Sequence, residues 1–240
     1  MKNLPWQNIR LFLIIFIMIF LYVFTSNRNE NRKLQKSEVV FVGDNNLFIE
    51  QKTVNNLLIE NFNDVKSIEK VTLNLNKLEK TIDKHPMIEK SQVFVSIDGV
   101  LKAVVKQKTP IARFFDSNGS FYIDYQGSTM PLSDHYTARV PIVLGQINSE
   151  NKTQIVDLCK QIYDDDFLKK NIIGMQILAN GSVKMNNRNF NFDIDFGRII
   201  NVEDKFKNYK AFFQKAVLDS SLYHYKKIDL KFANQVVCTK

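Results

Sequence analysis

The first pattern along the chain is an unbroken apolar run from Leu11 to Phe24, LFLIIFIMIFLYVF, 14 residues with no charge. Fourteen residues alone suit the core of a signal peptide. If Ile9, Arg10, Thr25 and Ser26 join the helix, it reaches roughly 27 Å, close to the ~30 Å of a hydrocarbon core. Arg10 can snorkel to the headgroups, and Trp6 and Tyr22 suit the interfacial belt. Val23-Phe24-Thr25 makes a poor cleavage site, so the span predicts an uncleaved anchor over 9–26, with Leu11, Ile15, Phe20 and Phe24 among its membrane residues. A cleaved signal peptide is the alternative.

Residues 27–38 read as a polar linker without apolar period. Val39–Val42 then has strand character, followed by the turn residues Gly43-Asp44-Asn45-Asn46. Val54, Leu57 and Leu58 predict a helix over Leu47–Glu60. A second helix is marked by Asn76 and Glu79, spaced as a capping box, and by Leu78 and Ile82 four apart; His85-Pro86 stops it. Ile88–Ile97 and Leu101–Val105 read as a hairpin about Asp98-Gly99. Strand, helix, helix, strand, strand predicts a three-stranded sheet with helices on one face.

Beyond Thr109-Pro110 the chain turns towards β. Ile111–Phe115, Phe121–Ile123, Ile142–Leu144, Ile173–Leu178, Val183–Met185 and Phe190–Phe196 are strand expectations. In the last, Phe190, Phe192, Ile194 and Phe196 face one way, leaving Asn191, Asp193 and Asp195 on a solvated face. Two helices are expected here: Asn151–Asp166, and one capped by Asn201 with Val202, Phe206, Tyr209, Phe213 and Val217 on its stripe. Strands at Ile228–Phe232 and Val236–Cys238 finish the chain. The fold class is α+β: one N-terminal transmembrane helix, a β-α-α-β-β module, and a C-terminal mixed or antiparallel β domain with two helices.

Composition adds little. With 45% hydrophobic and 24% charged residues, 8 Gly and 5 Pro, the 240 residues are ordinary globular material, which excludes collagen-like and low-complexity classes. Lys2 and Arg10 on one side of the apolar run, and Arg28, Arg32, Lys33 and Lys36 against Glu30 and Glu38 on the other, supply half of the net charge of +8. What remains is too dilute for a nucleic-acid stripe. The same flanks leave membrane orientation open by the positive-inside rule. Cys159 and Cys238 read as two buried thiols or as one disulfide.

No nucleotide-binding, metalloprotease or nucleophile-elbow motif is present, and His85, His135 and His224 have no paired ligand spacing. Asp164-Asp165-Asp166 reads as a helix end or loop surface rather than a cation site. An active site assembled from dispersed residues stays open, though nothing argues for one, and no metal or cofactor is expected.

Several fragments, in order, resemble the FtsQ/DivIB family of bacterial cell-division proteins. His85-Pro86-Met87-Ile88-Glu89-Lys90 is similar to that family's hPWV turn, with Met87 in place of the usual tryptophan. Lys108-Thr109-Pro110-Ile111-Ala112 resembles its ERxPvA junction, without the usual glutamate. Tyr122-Ile123-Asp124 with Gly127 resembles lvD..G, Val140-Pro141-Ile142 with Gly145 resembles lPvl.G, and Ile228-Asp229-Leu230-Lys231-Phe232 resembles vDLRY. The resemblance implies a cytoplasmic tail (1–8), the anchor (9–26), the linker (27–38), a POTRA-like domain (39–108) and an FtsQ-type β domain (109–240). It implies a bitopic inner-membrane protein, N-terminus cytoplasmic and bulk periplasmic, concentrated at the septum. It further implies a non-enzymatic divisome scaffold that recruits FtsB and FtsL and, through them, the FtsW/FtsI septal synthases.

A scaffold of this kind binds through surface, and the last long strand, taken as uncovered, is the expected docking edge. Lys231 would meet an acidic partner residue and Phe232 would anchor, with Ala233, Val236 and Val237 completing the strand-addition site. Val93 and Val95, with Val39–Val42, are the expected recruitment contacts of the POTRA-like module. Competing expectations are a different POTRA-bearing protein that handles outer-membrane β-barrel substrates, a membrane-anchored cytoplasmic nucleic-acid-binding regulator, and an anchored hydrolase.

Overall fold

The apolar run forms the middle of α1 (Trp6–Glu30), in a computed structural model that describes residues 6–30, 33–43, 46–59, 73–116, 119–148, 150–232 and 235–240. Leu11, Ile15, Phe20 and Phe24 are all exposed on α1. Ile9–Arg28 is, among the described residues, the one helical stretch long and apolar enough to cross a membrane. The helix runs past the expected end at Ser26, because Asn27, Arg28 and their neighbours continue the i→i−4 ladder where nothing breaks it.

The chain divides into two units, Met1–Gln107 and Lys108–Lys240. In the first, β1 (Lys36–Val42), α2 (Gln51–Ile59), α3 (Leu75–Asp83), β2 (Ile88–Val95) and β3 (Val100–Gln107) follow the order expected. The sheet order is β1-β3-β2, with β1 parallel and β2 antiparallel to β3. Val54, Leu58, Leu78 and Ile82 bury the helices, with Val39, Val93, Leu101, Ala103 and Val105 buried on the strands.

Three local expectations change. The linker is shorter than 27–38: Leu34 is only 2% exposed, Gln35 N–H donates to Gly99 O at 2.8 Å, and the strand begins at Lys36. The first helix starts at Gln51, because buried Gln107 takes the preceding backbone: its Oε1 accepts from Phe48 N–H (2.9 Å) and its Nε2 donates to Ile49 O (3.1 Å). Asn76 caps nothing. Asn74 is the N-cap and accepts from Lys77 N–H at 3.0 Å. The Asp98-Gly99 hairpin forms with Gly99 at φ +79°, after a turn in which Gly99 N–H donates to Ser96 O and Ser96 N–H to Val100 O. That is the three-residue loop with glycine in the left-handed position. The turn expected at Asp44-Asn45 lies outside the described residues.

The second unit is built on a nine-stranded mixed sheet, in the order β12-β11-β10-β9-β8-β7-β4-β5-β6. Its strands are β4 (Pro110–Asp116), β5 (Gly119–Asp124), β6 (Thr129–Met130), β7 (Ile142–Leu144), β8 (Ile172–Ile177), β9 (Ser182–Asn187), β10 (Asp193–Arg198), β11 (Lys227–Asp229) and β12 (Val237–Thr239). The helices are α4 (Lys152–Asp164), α5 (Asp166–Asn171), α6 (Val202–Leu218) and a 3-10 turn at Ser221–His224. Three α-helices therefore stand where two were expected. Asp165 breaks the first by leaving the helical backbone region and capping α5, accepting from Leu168 N–H at 2.9 Å.

Ile155, Leu158, Cys159 and Ile162 of α4 and Phe206, Tyr209 and Phe213 of α6 share one apolar cluster with Phe114, Val143, Met175, Met185, Ile194 and Ile228 of the strands. Asn201 precedes α6 at φ +51° without a side-chain cap, so its expected capping bond is not made. Val217 lies exposed and Ala216 takes the buried position. At the entrance to the domain, buried Asp124 accepts from Ser128 N–H at 2.7 Å and pairs with Lys108 at 3.4 Å, tying the junction to the β5 turn.

Candidate docking edge of the C-terminal sheet

Strand β12 is the outermost of its sheet, antiparallel to β11, which in turn runs parallel to β10. The edge thus belongs to β12. Ile228–Phe232 is not an uncovered strand: it is flanked on both sides and stops at Asp229. Past that point Leu230 N–H donates to Asp195 O at 2.9 Å, and Lys231 N–H to the Asp229 carboxylate at 2.9 Å, turning the chain out of the sheet. Ile228 and Leu230 are buried in the core. Phe232 sits on the turn, 48% exposed, and Val237 is 41% exposed on the edge. Val236 packs against the core cluster, and Ala233 lies outside the described residues.

Lys231 is exposed but not free. Its ammonium lies 2.6 Å from the Asp195 carboxylate and 3.6 Å from that of Asp229, and Lys227 reaches Asp195 at 3.1 Å. Its stem lies over Gly197, where an added Cβ would come within 2.7 Å of Lys231 Cγ. Asp195 is thus not on a solvated face: the residue is 6% exposed. Burial pushes its carboxyl upward, but the hydrogen bonds from Lys231 and Lys227 outweigh that and hold its pKa below the ordinary carboxylate value. The same contact raises the pKa of Lys231. The structural role of Asp195 has one sequence signal, the glycine two residues later in the same strand.

In the first unit, Val93 is buried in the module, Val95 is half-buried, and Phe94 between them is exposed. The outer edge of β2 is occupied at Val93, whose N–H donates to Glu79 Oε1 at 2.7 Å. Ser91 Oγ donates to Asp83 Oδ1 at 2.7 Å on the same side.

Two of the three aspartates of the run are engaged: Asp164 accepts from Tyr125 O–H at 2.9 Å, and Asp165 pairs with Lys210. Among the described residues no group of three or more His, Cys, Asp or Glu stands together as a metal set. Cys159 and Cys238 are free thiols, Cys159 buried and Cys238 half-buried.

Residues 109–239, just over half of the chain, match the family described as FtsQ/DivIB, C-terminal related. Among solved structures, the major extracytoplasmic domain of the trans isomer of the bacterial cell division protein DivIB from Geobacillus stearothermophilus is similar at 13% identity and a TM-score of 0.30, over 47% of this chain and 95% of that one. No curated protein matches the chain.

Proposed function

The chain belongs to the FtsQ/DivIB, C-terminal related family, and from that premise we propose that it is a non-enzymatic, membrane-anchored scaffold of bacterial cell division. In this reading α1 is the single membrane span, the N-terminus is cytoplasmic, and both units lie on the far side of the inner membrane, gathered at the septum. The first unit, with its β-α-α-β-β order, acts as a POTRA module. The second docks bitopic coiled-coil proteins of the FtsB and FtsL kind and, through them, the FtsW/FtsI synthases.

The observation that carries this reading is the edge itself. Strand β12 has a strand partner on one side only, and its neighbourhood presents Phe232 and Val237 to solvent. An incoming strand would take up the free backbone groups of β12, with Phe232 as an aromatic anchor beside it. Lys231 enters the site as a member of a charged group already satisfied by Asp195, so an acidic partner residue would share it rather than find it unpaired.

The test is photo-crosslinking from position 232 in growing cells, with the captured protein identified by mass spectrometry. Capture of a small bitopic division protein is the expected result. Capture of an outer-membrane barrel precursor, a nucleic-acid adduct or only cytoplasmic proteins would overturn the reading.

A further inference from the structure

Lys205, on the first turn of α6, is 3% exposed, an uncommon place for a lysine. Its ammonium donates to Phe196 O at 2.9 Å and Arg198 O at 2.8 Å, and lies 4.6 Å from the centre of the Phe196 ring. Those two carbonyls bracket Gly197, which has φ +72°. The register of β10 against β9 shifts at this place, Asp195 facing Lys184 and Gly197 facing Val183, so Phe196 is the extra residue of a β-bulge. On the other side of β10, pairing with β11 ends at Asp195 opposite Asp229.

The bulge and the end of β11 are one event. A bulged strand bends and twists away from its neighbour. Leu230 N–H still reaches Asp195 O, but beyond it the chain leaves the sheet, and the next exposed hydrophobic side chain is Phe232. A regular β10 would carry the ladder on to Lys231 and Phe232, and Phe232 would alternate onto the face that buries Ile228 and Leu230.

We propose that Lys205 is the positioning residue of the docking edge: by holding the carbonyls of Phe196 and Arg198 it fixes the bulge at Gly197, which ends β11 and turns Phe232 outward. The Phe196 carbonyl needs a donor at this place, and the Arg198 carbonyl, which also accepts from Ile200 N–H at 2.9 Å, takes a second one. Lysine supplies it on a stem long enough to reach from the next helix, and the ammonium's charge strengthens both bonds. Asp195 and Asp229 lie near enough to favour its charged form, against the burial that disfavours it. Lys231 completes the clamp from the strand side by covering Gly197 and binding Asp195. The consequence for partner binding rests on the docking reading above; the consequence for the edge does not.

Residue-resolved hydrogen exchange of the full chain in detergent micelles tests this without any partner. Lys205→Met keeps the stem and removes the donor. The expected result is exchange faster by roughly tenfold or more in 193–199 and 226–239, with 110–124 unchanged, since the Phe196 carbonyl loses its ammonium donor and the bulge loses its tie to α6. Lys205→Arg, which keeps charge and donors, restores most of the protection. Uniform acceleration across 110–124 as well, or no change in 226–239, overturns the proposal. Should Lys205→Met fail to fold, Gly197→Ala decides: it keeps Lys205 but forces Lys231 aside, and protection of 226–239 must fall. If it does not, the bulge does not set the edge. Crosslinking from position 232 is read in parallel. Loosened exchange with undiminished crosslinking leaves the clamp standing and overturns its consequence for partner binding.

Discussion

Asp195 and Lys231 meet at 2.6 Å although one lies within strand β10 and the other beyond the end of β11. The carboxylate is nearly enclosed and the lysine stem lies on Gly197, so the pair ties the turn that carries Phe232 to strand β10. The folded pKa of Asp195 lies below its ordinary value of 3.8. Its contribution to stability is therefore fully present above that value and lost as pH falls through the lower folded one. Acid denaturation of wild type and Asp195→Asn checks this. The variant is expected to lose about 1–3 kcal/mol at neutral pH and to show a shallower decline below pH 4.

Phe232→Ala separates the proposed docking from folding. The side chain is half in solvent, and surface substitutions of this kind change stability by about 0.5 kcal/mol or less. The melting temperature is expected to stay near wild type while recovery of the division partner in cell pull-downs falls. A large loss of thermal stability would mean that Phe232 is a packing residue.

Much of the architecture was legible because its patterns are local. β7 lies at Ile142–Leu144 as expected, and Leu78 and Ile82 bury α3 as their spacing predicts. What escaped has a physical reason in each case. Leu34 is one apolar residue in a charged stretch and makes no period, yet it is buried. Asp195 sits in a clean alternation whose polar face ought to be wet; its lysines arrive only after α6 has intervened. The free edge of the sheet lies one strand later than the alternation of Ile228–Phe232 suggests, because that segment pairs on both sides as β11 and its pairing with β10 stops at the bulge. Glu79 has the spacing of a capping box but is spent on the tertiary fold.

That use of Glu79 carries its own prediction. Its carboxylate accepts the N–H of Val93 on the outer edge of β2, which leaves that edge poorly suited to pairing with another chain. Glu79→Ala is expected to cost about 1–3 kcal/mol in urea unfolding, as a part-buried N–H loses its acceptor. It should also raise self-association of the first unit, seen as earlier elution in size-exclusion chromatography. Unchanged elution would mean that Glu79 stabilises the edge without guarding it.

The two thiols should react in a fixed order. Burial pushes Cys159 up to about 12 and raises Cys238 less, through partial burial. The thiolate is the reacting form, so both are slow at neutral pH. Cys238 is expected to take up maleimide first under native conditions and Cys159 only with denaturant, followed by mass spectrometry. Simultaneous labelling would place Cys159 outside the core.

Tyr209 offers the sharpest test of the core itself. Its ring lies 5.9 Å from those of Phe167 and Phe213, and its hydroxyl accepts from Asn187 Nδ2 at 3.0 Å; the Asn187 Oδ1 in turn accepts from Asn189 and Phe190 N–H. Tyr209→Phe keeps the ring and strands the amide, for an expected loss of about 1–3 kcal/mol. Asn187→Ala releases two backbone donors as well and should cost more. Burial raises the Tyr209 hydroxyl from 10.0 to about 12, with the Asn187 bond acting the other way. Its contribution is complete below pH 10 and disappears as pH climbs through the folded value, because the unfolded chain ionises first. Chemical unfolding of wild type between pH 9 and 12 should therefore show an alkaline decline that Tyr209→Phe lacks in part. An identical decline in both proteins would mean that the hydroxyl ionises in the folded state as readily as in the unfolded chain, and that the aromatic cluster is open to water.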